Sequence, residues 1–210
     1  MNFGFTPEQE LLRDQVRRFL DDNCALPEVR RIMKSAQGYE QGHWQQMAEL
    51  GWLGLIINES DGGVGLNWVD LVVVLEEMGR SLYPGPYLST LCFTAALIDI
   101  TDSHTQKTLL PGIAEGKIKG SLALLDRPGD PHVDNISLEA ITTGEGVFLS
   151  GSKPFVHDCG SADYFLVAYR QAQDFYLALL DANDPSLERS HSATMDFTKR
   201  TGKLTFDNLD

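Results

Sequence analysis

The 210-residue sequence predicts an α+β protein, with an all-α domain over residues 1–118 followed by an antiparallel β-barrel domain over residues 119–210. Two observations carry this expectation. Up to about Glu115, apolar residues recur at helical spacing. Past Gly116, short runs rich in β-branched and aromatic residues alternate with turn residues, as in a small barrel or sandwich. A helical half followed by a strand half argues for two domains, with the boundary near Lys117 to Gly120. A composition of 42% hydrophobic and 22% charged residues is that of an ordinary globular protein long enough to bury a sizeable core.

The helical elements follow in order. Thr6-Pro7-Glu8-Gln9 reads as a helix start, with a Thr cap, Pro at the first helical position and Gln three residues after the cap. Leu12, Val16, Phe19 and Leu20 then form one apolar stripe. Trp44, Met47 and Ala48 repeat the pattern in a next helix, which Gly51 ends in a left-handed cap. Asn58 to Gly65 is a loop by composition, because glycine tolerates positive φ and Asn and Asp bond locally. Asn67 opens a helix through Val69, Val72, Val73 and Glu76-Glu77. That helix is apolar nearly all round, and a buried position is expected for it. Tyr83-Pro84-Gly85-Pro86 breaks it, and two more helices fill Leu88 to Ile100 and Ser103 to Glu115. Trp44, Trp52 and Trp68 are expected to be core aromatics.

Strands are expected over Gly120 to Leu125, Ile136 to Thr142, Val147 to Leu149, Tyr164 to Tyr169, Phe175 to Leu180 and Lys203 to Phe206. Thr143-Gly144-Glu145-Gly146 and Ser150-Gly151-Ser152 read as the turns between them.

Composition also excludes some functions. A net charge of −13, with 17 scattered basic residues, argues against nucleic acid and anionic membrane surfaces as partners. No apolar run approaches the ~20 residues that span a bilayer. The N-terminus lacks the pattern of a secretory signal. Cys24, Cys92 and Cys159 are odd in number and far apart, so they read as reduced thiols, most simply small buried hydrophobes, in a cytoplasmic protein. The histidines at 43, 104, 132, 157 and 191 make no metal-ligand cluster, and no metal is expected. There is no G-x-S-x-G, no G-x-G-x-x-G after a strand and no Walker sequence. From the residues alone, no reaction is named.

Five segments in order do point to a family. They are FTPEQELLRDQVRRFLDDN, LGWLGLIINESDGGVGL, LLPGIAEGKIKGSLALLD, GEGVFLSGSKPFVHDCGSADYFLVAYR and TMDFTKRTGKLTFDNL. Together they resemble the acyl-CoA dehydrogenases over essentially the whole chain, and their order and spacing make the likeness specific. The second segment resembles the family's Pro-Glu-x-x-Gly-Gly turn, with Asn58 where Pro is common. The resemblance implies a helical domain, a β-barrel domain and a further helical bundle, which would follow Asp210. It implies FAD as cofactor and an acyl-CoA thioester as substrate. In that chemistry a glutamate base takes the α-proton while the β-hydride passes to flavin N5.

By the same resemblance, two segments face the flavin. Leu124-Leu125-Asp126 stands where the family commonly has Thr-Glu-Pro, with Leu125 in place of a hydroxyl that bonds the ring. Phe155-Val156-His157 stands where the family has aromatic-x-Thr, so Phe155 keeps an aromatic wall and His157 replaces the Thr. The implied cofactor-binding residues are therefore Leu124, Leu125, Phe155, Val156 and His157. No catalytic residue is matched, because the base belongs to the further bundle. Asp126 with Arg127 is expected to be an exposed ion pair and Lys153 a solvated strand residue. The altered LLDRPGD segment resembles small subunits of heteromeric family members such as pimeloyl-CoA dehydrogenase. Two functions are thus expected. One is an FAD-dependent acyl-CoA dehydrogenase, as a truncated chain or as a subunit of a homo- or hetero-oligomer. The alternative is a non-catalytic scaffold that pairs with a complete dehydrogenase. An acyl-CoA binding module is a weaker third.

Overall fold

The first helix starts where its caps dictate. In the computed structural model, which describes residues 4–99, 103–127, 132–142 and 146–209, α1 runs Pro7–Asn23. Thr6 Oγ1 accepts from the Gln9 amide at 3.3 Å, and Gln9 Oε1 accepts from the Thr6 amide at 3.0 Å. Two amide donors that the helix leaves unpaired are thereby satisfied. The chain divides into two compact units, Met1–Gly85 with Thr94–Lys117, and Pro86–Phe93 with Ile118–Asp210.

In the first unit α1 is followed by α2 (Leu26–Met33), α3 (Gln41–Glu49) and α4 (Trp68–Arg80). α2 was not among the expected elements. Val16, Leu20, Val29, Ile32, Trp44 and Met47 are buried. Gly51 follows α3 with φ 79°, the left-handed conformation its position requires. A tight reversal after it sets residues 64–66 alongside residues 54–57, with amide-to-carbonyl bonds Val64 to Gly54 (2.9 Å), Gly65 to Ile57 (2.8 Å) and Leu66 to Leu55 (2.7 Å). The backbones approach so closely that a Cβ at Gly63 would overlap the Ile57 carbonyl.

Asn67 caps α4 as expected. Its Oδ1 accepts from the Val69 and Asp70 amides, and Asp70 Oδ2 accepts from the Asn67 amide at 3.0 Å. The helix is not buried all round, however. Leu71, Val73, Val74 and Met78 face the core, while Trp68 is 58% and Val72 52% exposed. Trp44 and Trp52 are core aromatics and Trp68 is not. A polar row explains which face turns inward. Gln9, Arg13, Arg17 and Asp21 lie four residues apart on one face of α1. They bond in turn to Asp70 (2.8 Å), Glu76 (2.8 Å), Glu77 and Arg80 (2.8 Å) of α4. Satisfying these groups orients α4 and leaves its Trp68–Val72 face outside.

α5 (Tyr87–Asp99) and α6 (Ser103–Ala114) complete the helices, close to their expected bounds. Ile100, the expected end of the first, lies outside the described residues. Within the first unit, Gln106 Nε2 donates to Leu97 O at 2.8 Å and covers a carbonyl at the end of α5.

The second unit holds two sheets, and a closed barrel is not shown among the described residues. The first is ordered β1 (Gly120–Ala123), β4 (Tyr164–Gln171), β5 (Asp174–Asp181). The second is β2 (Ala140–Thr142), β3 (Val147–His157), β7 (Thr201–Leu209), β6 (Leu187–Ser192). Pairing is antiparallel except between β1 and β4, which run parallel from Gly120 opposite Tyr164. The α+β class stands, with mixed rather than purely antiparallel sheets. Ala123, Leu149, Val156, Phe165, Val167, Leu180, Leu204 and Phe206 form the core.

β3 differs most from expectation. Ser150-Gly151-Ser152 does not turn. The strand continues through it to His157, with register shifts against β7 between Leu149 and Gly151 and between Lys153 and Val156. These bulges absorb residues that would otherwise break the ladder. The expected strand over Ile136 to Thr142 shortens to Ala140–Thr142, β1 stops at Ala123, and β6 was not expected. Thr143 to Glu145, part of an expected turn, lie outside the described residues.

Cys24 and Cys159 are buried and Cys92 is exposed, so the buried-hydrophobe reading holds for two of the three. Among the described residues no helix is long and apolar enough to cross a membrane. No group of three or more His, Cys, Asp or Glu among them could hold a metal ion.

Candidate functional site

The two segments singled out above meet at the end of β1. Ser121 Oγ donates to the His157 carbonyl at 2.6 Å, joining β1 to the end of β3. Lys153 Nζ donates to the Leu124 carbonyl at 3.1 Å, joining β3 to the chain just past β1. The second bulge of β3 falls at Pro154 and Phe155, and Phe155 takes φ 55°, a left-handed conformation costly for an aromatic residue. Bulges of this kind re-aim side chains. Here the flanking Lys153 and Val156 are buried, while Phe155 is 44% exposed and His157 lies at the surface. Leu124 is 39% exposed and Leu125 half-buried.

Val156 lies in the core of the second unit, so only its main chain is open to a ligand at the surface. Leu124, Phe155 and His157 keep exposed side chains. Thr201, opposite His157 on β7, has a buried hydroxyl with no partner among the described residues.

Two expectations are overturned. Lys153 is not solvated but fully buried, and its ammonium lies 2.7 Å from Asp126 Oδ1. Asp126 forms no exposed pair with Arg127. Its second oxygen accepts from the Ser137 amide at 2.5 Å and from the Leu138 amide at 3.3 Å. The physical reason is strand parity. Leu149, Gly151 and Lys153 alternate on one face of β3, and Leu149 is a core residue, so Lys153 is carried inward too. An ammonium there needs a counter-ion, and Asp126 supplies it. Burial pushes the Lys153 pKa down, and the Asp126 bond partly offsets that push. Parity from Leu149 finds this residue once residues 150–152 are strand and not the turn their composition suggests.

A second buried carboxyl was not anticipated. Asp158, next to His157, has φ 49° and receives a 2.7 Å hydrogen bond from Ser89 Oγ. Burial raises its pKa, and the Ser89 bond opposes the rise.

The profile described as acyl-CoA dehydrogenase, N-terminal domain, matches residues 6–117. The chain belongs to the acyl-CoA dehydrogenase family. It is 34% identical over 112 residues to the acyl-CoA dehydrogenase IpdE2 of Mycolicibacterium smegmatis, covering 53% of this chain and 36% of that protein. Among solved structures it is similar to a variant of the Tcur3481–Tcur3483 steroid ACAD. That likeness has TM-score 0.87 and 30% identity, over 96% of this chain and 55% of that one. It is also similar to the ChsE4–ChsE5 complex from Mycobacterium tuberculosis, with TM-score 0.88 and 25% identity, over 100% of this chain and 56% of that one. The chain thus spans about half the length of these solved relatives.

Acyl-CoA dehydrogenases bind FAD. The residues at the β1–β3 junction fit one wall of such a site. Phe155 is held outward in a strained conformation and exposes an aromatic face, and Leu124 exposes an aliphatic one. His157 sits beside them with an imidazole able to donate a hydrogen bond. Leu125 offers no hydroxyl, so that position has only main-chain groups for polar contact.

Proposed function

We propose that this chain is a subunit of an FAD-dependent acyl-CoA dehydrogenase that desaturates an acyl-CoA thioester between Cα and Cβ. It is organised as two domains, 1–118 and 119–210, of which the second contributes one wall of a flavin site, and it works in the cytoplasm as part of a homo- or hetero-oligomer with a related subunit. The observation that carries this is Phe155. An exposed aromatic ring on a left-handed bulge is a costly arrangement, and such strain concentrates at ligand sites.

In this reading Phe155 and Leu124 would supply apolar contact to the flavin, His157 would donate a hydrogen bond to it, and main-chain groups of Leu124, Leu125 and Val156 would complete the site. When bound, the flavin supplies the hydride acceptor. The chain's own residues exclude water and orient the ring. No residue of this chain is assigned the role of base. Pairing with a related subunit is supported by the ChsE4–ChsE5 likeness, that structure being a complex of two named proteins.

A second reading, a scaffold that pairs with a complete dehydrogenase and holds no flavin, is favoured by Leu125. A leucine there cannot replace a hydroxyl donor. Purification of the chain alone and co-expressed with the related dehydrogenase subunit separates the two. Flavin absorbance that co-purifies with the complex and diminishes in Phe155→Ala supports the first. A complex that forms and whose flavin content is unchanged by Phe155→Ala overturns it in favour of the scaffold.

A further inference from the structure

Between the end of β1 at Ala123 and the start of β2 at Ala140, the described chain has no strand pairing except a single bridge from Glu139 to Arg170. Near its end the Leu138 side chain is in the core and the Leu138 carbonyl accepts from the Arg170 amide at 2.7 Å, while near its start a buried side chain of β3 reaches it. The Lys153 ammonium, wholly buried on β3, reaches two groups of the same short segment, Leu124 O and Asp126 Oδ1. Asp126 passes the tether on, because its other oxygen takes the Ser137 and Leu138 amides eleven and twelve residues further along.

We infer that Lys153 is a positioning residue, whose ammonium fixes the Leu124–Asp126 segment against β3 and so sets the face that segment presents to flavin. This rests on the function proposed above. A methionine or leucine would fill an inward position of β3 without the desolvation of a charge. A lysine there needs a reason beyond packing, and the reason visible in the structure is the segment it grips. The grip matters more in this chain because Leu125 carries no polar side chain. Whatever polar contact this wall makes comes from main-chain groups, and main-chain groups are aimed only by fixing the backbone. Phe155 lies in the bulge that Lys153 flanks, so one short stretch of β3 both displays the aromatic face and anchors the neighbouring segment.

The test compares wild type, Lys153→Met, and Lys153→Met combined with Asp126→Asn. The double variant leaves no uncompensated buried carboxylate and guards against simple unfolding. Asp126→Glu keeps the ion pair and serves as the conservative control. Amide hydrogen exchange is read at residues 124–127, Ser137 and Leu138, with Leu166 and Val167 of β4 as internal reference. FAD affinity and the visible circular dichroism of bound FAD are read on the complex with the related dehydrogenase subunit.

Loss of Lys153 is expected to accelerate exchange at residues 124–127, Ser137 and Leu138 by ~10-fold or more and leave β4 unchanged. It is expected to weaken FAD binding by a similar factor and alter its dichroism, as loss of outer supporting groups does at other sites. Asp126→Glu is expected to retain both. Unchanged exchange in the folded variants overturns the inference. So does faster exchange with FAD affinity and dichroism intact. A wild-type complex that takes up no FAD overturns the proposed function and the flavin part of this inference together. Exchange alone then decides whether Lys153 fixes the segment.

Discussion

Arg17 holds Glu77 through two parallel hydrogen bonds, Nε to Oε2 at 3.0 Å and Nη2 to Oε1 at 2.5 Å, joining α1 to α4. Arg80 adds a third bond to Oε2 at 2.7 Å. The carboxylate is almost wholly buried, whereas both arginines are close to half exposed. The acid therefore has its lost hydration replaced by fixed donors, while the cations keep much of theirs.

That arrangement makes stability depend on pH in a defined window. The Arg17 hydrogen bond, the largest influence, holds the Glu77 carboxyl at about 2, against an ordinary 4.5; burial opposes it and Arg80 assists. A group with a depressed folded pKa stabilises the fold fully above its unfolded value and loses that stabilisation as pH falls toward the folded value. The contribution at neutral pH is on the order of 3 kcal/mol. Urea unfolding of wild type and Glu77→Gln is expected to differ by about that amount at pH 7, and the two are expected to converge between pH 4.5 and pH 2. Parallel curves over that range would show that the pair is not what links α1 and α4.

The reversal after Gly51 predicts an ordering of two neighbouring substitutions. Gly62 has φ 85°, but the nearest atom to a Cβ there is 3.6 Å away, so Gly62→Ala carries the cost of a left-handed alanine, about 1–2 kcal/mol. At Gly63 the Cβ would meet the Ile57 carbonyl carbon and oxygen, and the Ile57 oxygen already accepts from Gly65. Gly63→Ala must displace backbone and break that bond, a cost of more than ~3 kcal/mol. Thermal melts should rank the two in that order. Equal effects would mean that the loop yields without disturbing residues 54–57.

Much of the helical unit was legible because its signals are local. Thr6 with Gln9, and Asn67 at the start of α4, each announce a helix end within four residues. α2 is only eight residues long and its start at Ala25 has no side-chain cap, so its apolar spacing at Leu26, Val29 and Ile32 carries no end signal. The strand unit was harder. β6 reads Leu-Glu-Arg-Ser-His-Ser, and only Leu187 of it is buried, so no alternation marks it. Ser150-Gly151-Ser152 has turn composition, yet β7 pairs alongside and holds it extended. The parallel pairing of β1 with β4 joins residues some forty positions apart, which no local pattern encodes. At the candidate site, Phe155 and His157 are named by resemblance alone. The Lys153–Asp126 pair was obscured because charge suggests solvent, while strand parity points inward.

α4 offers a direct comparison of adjacent valines. Val72 is 52% exposed and Val73 not at all. Val72→Lys is expected to change unfolding free energy by no more than ~0.5 kcal/mol, as exposed substitutions do. Val73→Lys buries an unpaired ammonium and is expected to cost more than ~4 kcal/mol or prevent folding. Soluble expression and denaturant midpoints check both. A Val72→Lys protein as damaged as Val73→Lys would place the exposed face of α4 against something within the folded chain.

Under the proposed function, Leu125 is the position at which flavin binding would be gained rather than lost. The family resemblance implies a hydroxyl at this position that bonds the ring, and the leucine is half-buried, so threonine fits within the volume it leaves. Removing apolar contact costs the fold about 1 kcal/mol. A hydroxyl that reaches the ring returns roughly 1 kcal/mol in binding, about fivefold in affinity. Leu125→Thr is therefore expected to lower the thermal midpoint slightly and to tighten FAD binding, read by quenching of flavin fluorescence on the complex with the related subunit. The gain should depend on the segment being held in place, so it should vanish when Lys153→Met is added. Were Leu125→Thr to bind FAD no better than wild type while Lys153 is intact, the segment would not face the ring, and the scaffold reading would be the stronger one.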